Sequence, residues 1–176
     1  MTTASAAGST GIRHGRDSVA MTERLSFAKA APELYKQIAA LDAHVAGHID
    51  PVLYELVKLR ASLINQCAFC IDMHSTDALE AGESAARLFG LGAWHETPLY
   101  TDRERAALAL TDAATRFGEH GVPDDVYAAA REQFDERELT YLVGAIAMIN
   151  MWNRLAITFQ STPRSARTRS PVSPPC

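Results

Sequence analysis

A chain of 176 residues with 47% hydrophobic and 22% charged side chains has enough apolar mass for one cored domain, and a second is not expected. The net charge of −4 understates the acidity of the middle, because Arg13 and Arg16 at one end and Arg164, Arg167 and Arg169 at the other are basic; an acidic body argues against nucleic acid as a partner. No run approaches the roughly 18 to 20 apolar residues of a membrane span, so no membrane association is expected. Three cysteines are too few for a secreted disulfide framework, which makes a reducing, cytoplasmic setting the default.

Residues 1–22 are rich in Ser, Thr, Ala and Gly and lack an apolar signal core, so they read as a disordered arm, with Met21 as an alternative start. The folded domain is expected over 23–161. Pro32 suits the first turn of a helix with Leu34, Ile38, Leu41 and Val45 as its apolar positions. Asp50-Pro51 reads as an N-cap and first helical residue, opening a helix that turns Leu53, Leu56, Leu59 and Leu63 inward until Asn65-Gln66 breaks it. A third helix starts near Cys67 and stops at Gly82, and Ser84 to Leu91 gives a short fourth. Thr101 and Glu104 have capping-box spacing ahead of a helix with Leu110, Ala113, Ala114 and Phe117 on one side. Pro123 starts another short helix. Asp135 and Glu138 form a second capping box before a long helix through Leu139, Leu142, Ile146, Ile149, Ala156 and Phe159, apolar on more than one side and so central or buried against another subunit. Residues 162–176, with three arginines and four prolines, read as a disordered basic tail. Strand alternation and hairpin turns are missing, which leaves an all-α bundle, expected to be a homo-oligomer.

The chemistry concentrates in the run from Glu55 to His74. Cys67 and Cys70 are a C-x-x-C pair that can close a small disulfide loop, and a helix start beside them would stabilise one thiolate. His74 follows Cys70 by four residues, so on a continuing helix it shares that face and can exchange a proton with the sulfur. Three other readings compete. Cys67, Cys70 and His74 could hold a structural zinc, but a closed site needs a fourth ligand from His48, Glu55 or Cys176. A thioredoxin-like module would need a βαβ context that the helical flanks do not offer. Both cysteines could also be inert core residues. Glu55 taken alone is a solvated partner of Lys58 three residues on, unless its Leu-rich surroundings bury it.

At these residues the chain resembles the carboxymuconolactone decarboxylase and alkylhydroperoxidase D-like family, whose redox members carry a Glu and then, twelve residues later, Cys-x-x-Cys-x-x-x-His. Glu55, Cys67, Cys70 and His74 match. The likeness extends from about Arg24 to Phe159 and includes the runs beginning at Gly92, Glu104 and Asn150. It implies an all-helical, AhpD-like subunit that assembles into dimers, trimers or hexamers. It also implies thiol-dependent hydroperoxide reduction, with Cys70 as the peroxidatic cysteine, Cys67 as the resolving one, and Glu55 and His74 as the relay that takes the Cys70 proton.

The well-studied peroxidases have a histidine where this chain has Phe69, which places it nearer the uncharacterised branch. On this reading the partners are a hydroperoxide and an external dithiol of lipoyl or thioredoxin type, with no bound cofactor and no metal. A redox sensor cycling the same two cysteines, and a decarboxylase on the same fold that does not need them, remain as alternatives.

Overall fold

Residues 22–168 are described by a computed structural model, and within them most helices start at a capping side chain or a proline. A four-residue α1 (Phe27–Ala30) leads into α2 (Pro32–Ala46), with Pro32 in its first turn. α3 (Pro51–Asn65) begins at Asp50, whose carboxylate accepts from the Leu53 N–H at 3.0 Å, a cap worth about 1 kcal/mol. α4 (Ala68–Glu80) gives way to Gly82, where φ is +96°. α5 (Ala85–Gly90), capped by Ser84, runs into a 3-10 segment over Leu91–Glu96. Complete capping boxes open α6 (Asp102–Thr115) and α8 (Glu136–Phe159), while Pro123 directly precedes α7 (Asp124–Gln133). Among the described residues there is no strand, only an isolated bridge between Gly118 and Gly121, so the fold is all-α as expected.

α3 is the central helix because three of its faces are apolar. Leu53 and Val57 pack with Leu110, Leu142 and Ile146 of α6 and α8. Leu56 and Leu59 meet Leu88, Leu91, Trp94 and Leu108. Ala61 packs with Cys67, Cys70 and Ile149. Each buried leucine contributes on the order of 1.5–3 kcal/mol, so this helix anchors the domain and fixes whatever is mounted on it.

Three features of the helical body differ from the sequence reading. Leu34 and Leu41 are 50% and 52% exposed, because α2 lies along one edge of the bundle and turns Val45, not those two, into the core. Phe117 falls beyond the end of α6 and is exposed. α8, unlike any stretch picked out in the sequence, is long and apolar enough by length and composition to cross a membrane. Its Asn150 and Asn153, however, are buried and hydrogen-bonded inside the bundle, which marks a core helix.

The tail does not begin structureless at residue 162. Arg164–Thr168 form a short α9, tied down where the Ser165 N–H and hydroxyl donate to Asp72 and Arg164 pairs with Asp77 at 3.5 Å. The rest of the expected tail, and all of the expected N-terminal arm before Thr22 with the start at Met21, lie outside the described residues.

Candidate active site

The corner between α3 and α4 is as tight as two helices allow. Gln66 adopts the left-handed conformation at φ 58°, and the N–H groups of Gln66 and Cys67 turn back to the carbonyls of Leu63 (3.2 Å) and Ser62 (3.0 Å). This is a Schellman closure, normally built on glycine. Cys67 therefore finishes the stop signal of α3 and is at the same time the N-cap of α4, its sulfur accepting from the Cys70 N–H at 3.4 Å.

A buried polar network holds the corner against α8. Asn65 Nδ2 donates to the Oδ1 atoms of Asn150 and Asn153, both at 2.9 Å, and Asn153 Nδ2 donates to the Ser62 hydroxyl at 3.1 Å. With every member paired, such a network fixes one geometry.

On that corner Cys67 and Cys70 are joined as a disulfide with Cα atoms 5.4 Å apart, each sulfur-bearing residue 1% exposed. His74, one turn further along α4, is 4% exposed, and its Nδ1 lies 2.8 Å from Glu55 Oε2 on α3. A carboxylate only accepts, so Glu55 fixes the ring proton on Nδ1. Nε2 is left as a buried acceptor with no hydrogen-bond partner among the described residues.

The four residues singled out in the sequence thus come together. The surface ion pair suggested for Glu55 does not form: Lys58 turns to Asp42 at 2.7 Å and Arg60 to Asp112 at 2.6 Å. The zinc reading finds the two thiols bonded to each other and the imidazole engaged with a carboxylate.

Cys70, but not Cys67, opens on a cavity of about 560 Å³, a size suited to a small organic ligand. Its lining includes the apolar Phe69, Met73, Trp152 and Leu155, and α9 contributes Arg164. The lining also includes Asp42, Tyr54 and Lys58, which sequence reasoning did not connect. A signal existed: Lys58 stands between the core residues Val57 and Leu59, and a lysine there needs a buried partner. Burial lowers the proton affinity of Lys58 although Asp42 and Glu55 pull the other way; for Tyr54 burial and then its hydrogen bond to Asp42 raise it.

The sequence profile of the Carboxymuconolactone decarboxylase family matches residues 32–113. The uncharacterized protein YdfG of Bacillus subtilis is 40% identical over 138 residues, which are 78% of this chain and 94% of YdfG. A protein of unknown function from Agrobacterium tumefaciens, assigned to antioxidant defence as an AhpD candidate, is 40% identical and superposes with a TM-score of 0.78 over 81% of this chain and 98% of its own. An uncharacterized peroxidase-related protein from Ralstonia eutropha, described as an alkylhydroperoxidase AhpD core, superposes at 0.70 over 79% of this chain and 75% of its own; at 18% identity it speaks for the fold alone.

Proposed function

The chain belongs to the carboxymuconolactone decarboxylase family with its AhpD-like members, and from that premise we propose that it is a thiol-dependent hydroperoxide reductase. The observation that carries the reading is the unpartnered Nε2 of His74, buried one turn beyond Cys70 with its other nitrogen committed to Glu55. In the reduced protein that acceptor takes the Cys70 thiol proton, and Glu55 stabilises the positive ring that results. The Cys70 thiolate attacks the terminal peroxide oxygen and becomes a sulfenic acid while the alcohol leaves. Cys67 then attacks the Cys70 sulfur, water departs, and the disulfide forms. An external dithiol of lipoyl or thioredoxin type reduces it for the next cycle.

Supporting this division of roles, Cys70 faces the cavity whereas Cys67 lies behind it as the helix cap. The apolar wall suits an organic hydroperoxide. The near-complete burial of both sulfurs favours one competing reading, a sensor that cycles the same pair slowly.

Peroxide consumption with a supplied dithiol tests the proposal. Wild type should turn over, Cys67→Ser should stop after one equivalent with a trappable sulfenic acid, and Cys70→Ser should be inert. A wild type that forms its disulfide without sustained consumption is a sensor, and Cys70→Ser that still consumes peroxide ends the reading.

A further inference from the structure

The cavity onto which Cys70 opens also carries groups that the thiol steps leave unused. Asp42 accepts from Lys58 Nζ at 2.7 Å on each of its oxygens, from the Tyr54 hydroxyl at 2.7 Å, and from Trp152 Nε1 at 3.0 Å. Those donors saturate the carboxylate but not the ammonium. Lys58 has three N–H groups, of which two go to Asp42. The third has no oxygen or nitrogen acceptor among the described residues, and the ammonium stands 4.3 Å from the centre of the Tyr54 ring. Lys58 is 2% exposed, and a buried ion pair is often no more stabilising than well-packed apolar residues, so stability alone gives little reason for it.

We propose that Lys58 is the acid of the peroxide-reducing step: its unshared N–H binds the inner oxygen of an alkyl or aryl hydroperoxide whose organic body fills the cavity, and protonates that oxygen as it leaves. The assignment rests on the reductase reading above. The Cys70 thiolate gives an electron pair to the terminal peroxide oxygen, and the O–O bond breaks. Its electron pair passes to the inner oxygen, which takes a proton from the Lys58 ammonium. The products are Cys70 sulfenic acid, the alcohol and a neutral amine, and the proton that His74 took from Cys70 returns through water to restore the ammonium.

Two further facts select Lys58 over its neighbours. Burial loosens its proton, whereas burial and the hydrogen bond to Asp42 make the Tyr54 hydroxyl a worse acid than an ordinary phenol. Trp152 Nε1, the other donor, is engaged with Asp42 and cannot give up its proton at neutral pH.

Single-turnover oxidation of the reduced protein by two oxidants tests this. tert-Butyl hydroperoxide expels an alkoxide, which needs a proton; peracetic acid expels acetate, which does not. Lys58→Met should lower the rate with tert-butyl hydroperoxide relative to that with peracetic acid by about 10²–10⁴, the usual range for loss of a general acid. Asp42→Asn combined with Lys58→Met removes both charges, and it carries the same test where the single variant, with Asp42 left buried and unpaired, does not fold.

A shifted ratio in either variant supports the assignment. If wild type is oxidised by both and the variants keep its ratio, Lys58 is not the acid, and the reductase reading stands without it. A wild type that neither oxidant oxidises at Cys70 overturns the reductase reading and this one together.

Discussion

Replacing Glu55 by Gln separates a proton relay from a structural contact, because the two roles move different observables. The carboxylate accepts from His74 Nδ1 at 2.8 Å, and Gln is close enough in shape to offer its amide oxygen at the same place. What disappears is the charge. Lys58 and Arg60 are paired with Asp42 and Asp112, so the substitution orphans neither cation. Exchanging a charge-assisted hydrogen bond for a neutral one therefore costs about 1 kcal/mol of stability. The kinetic effect should be far larger: with only a neutral amide oxygen beside the ring, Nε2 must accept the Cys70 proton without a negative charge to stabilise the cation, and disulfide formation should slow by about 10²–10⁴. Trp152, which shares the cavity wall with Cys70, is a natural fluorescence reporter for stopped-flow oxidation of the reduced protein, to be read beside its urea midpoint. Unchanged oxidation with a lowered midpoint would refute the relay and leave Glu55 a purely structural partner of His74.

Three further outcomes are expected. Iodoacetamide added to the reduced protein at mildly acidic pH should label Cys70 before Cys67, because Cys70 faces the cavity and precedes His74 by one turn; faster labelling of Cys67 by mass spectrometry would reverse the assigned roles. Sedimentation should find an oligomer at micromolar concentration, since α8 leaves Val143, Met151 and Ile157 exposed and α2 leaves Leu34 and Leu41 exposed; a monomer would show those faces to be plain surface. Burial alone would raise the pKa of Glu104, but hydrogen bonds from Arg87 and Thr101 and the Arg87 charge outweigh it and hold it below the ordinary 4.5. The stability this confers is present above about pH 4.5 and lost as pH falls through the depressed value, so Glu104→Gln should flatten the acid limb of the urea midpoint against pH, and an unaltered limb would contradict the pairing.

Much of this molecule is written locally. Capping boxes at Thr101 and Asp135, the Asp50-Pro51 start and the Asn65-Gln66 break are each decided by a few adjacent side chains, and the structure places helix ends there. The spacing of Cys67, Cys70 and His74 is likewise one helix's own periodicity. Glu55 meets His74 across a corner, which spacing does not reveal and the family resemblance did. The least legible contacts join distant elements: Asp42 to Lys58 between α2 and α3, Arg60 to Asp112 between α3 and α6, and Asn65 to Asn150 and Asn153 between α3 and α8. Which face of α2 meets the bundle depends on that packing too, which is why Leu34 and Leu41, apolar and at helical spacing, ended outside.

The corner at Gln66 also sets how the length of this chain can vary. Because Cys67 ends one helix and begins the next, no residue there is spare. Inserting one residue would turn all of α4 by about 100° relative to α3, carrying His74 away from Glu55. Between α6 and α7, by contrast, residues 116–123 form a connection whose ends can absorb an extra residue without rotating anything at the dithiol. Among natural variants of this fold, gains and losses of residues should therefore collect in that connection and be missing between positions 65 and 68.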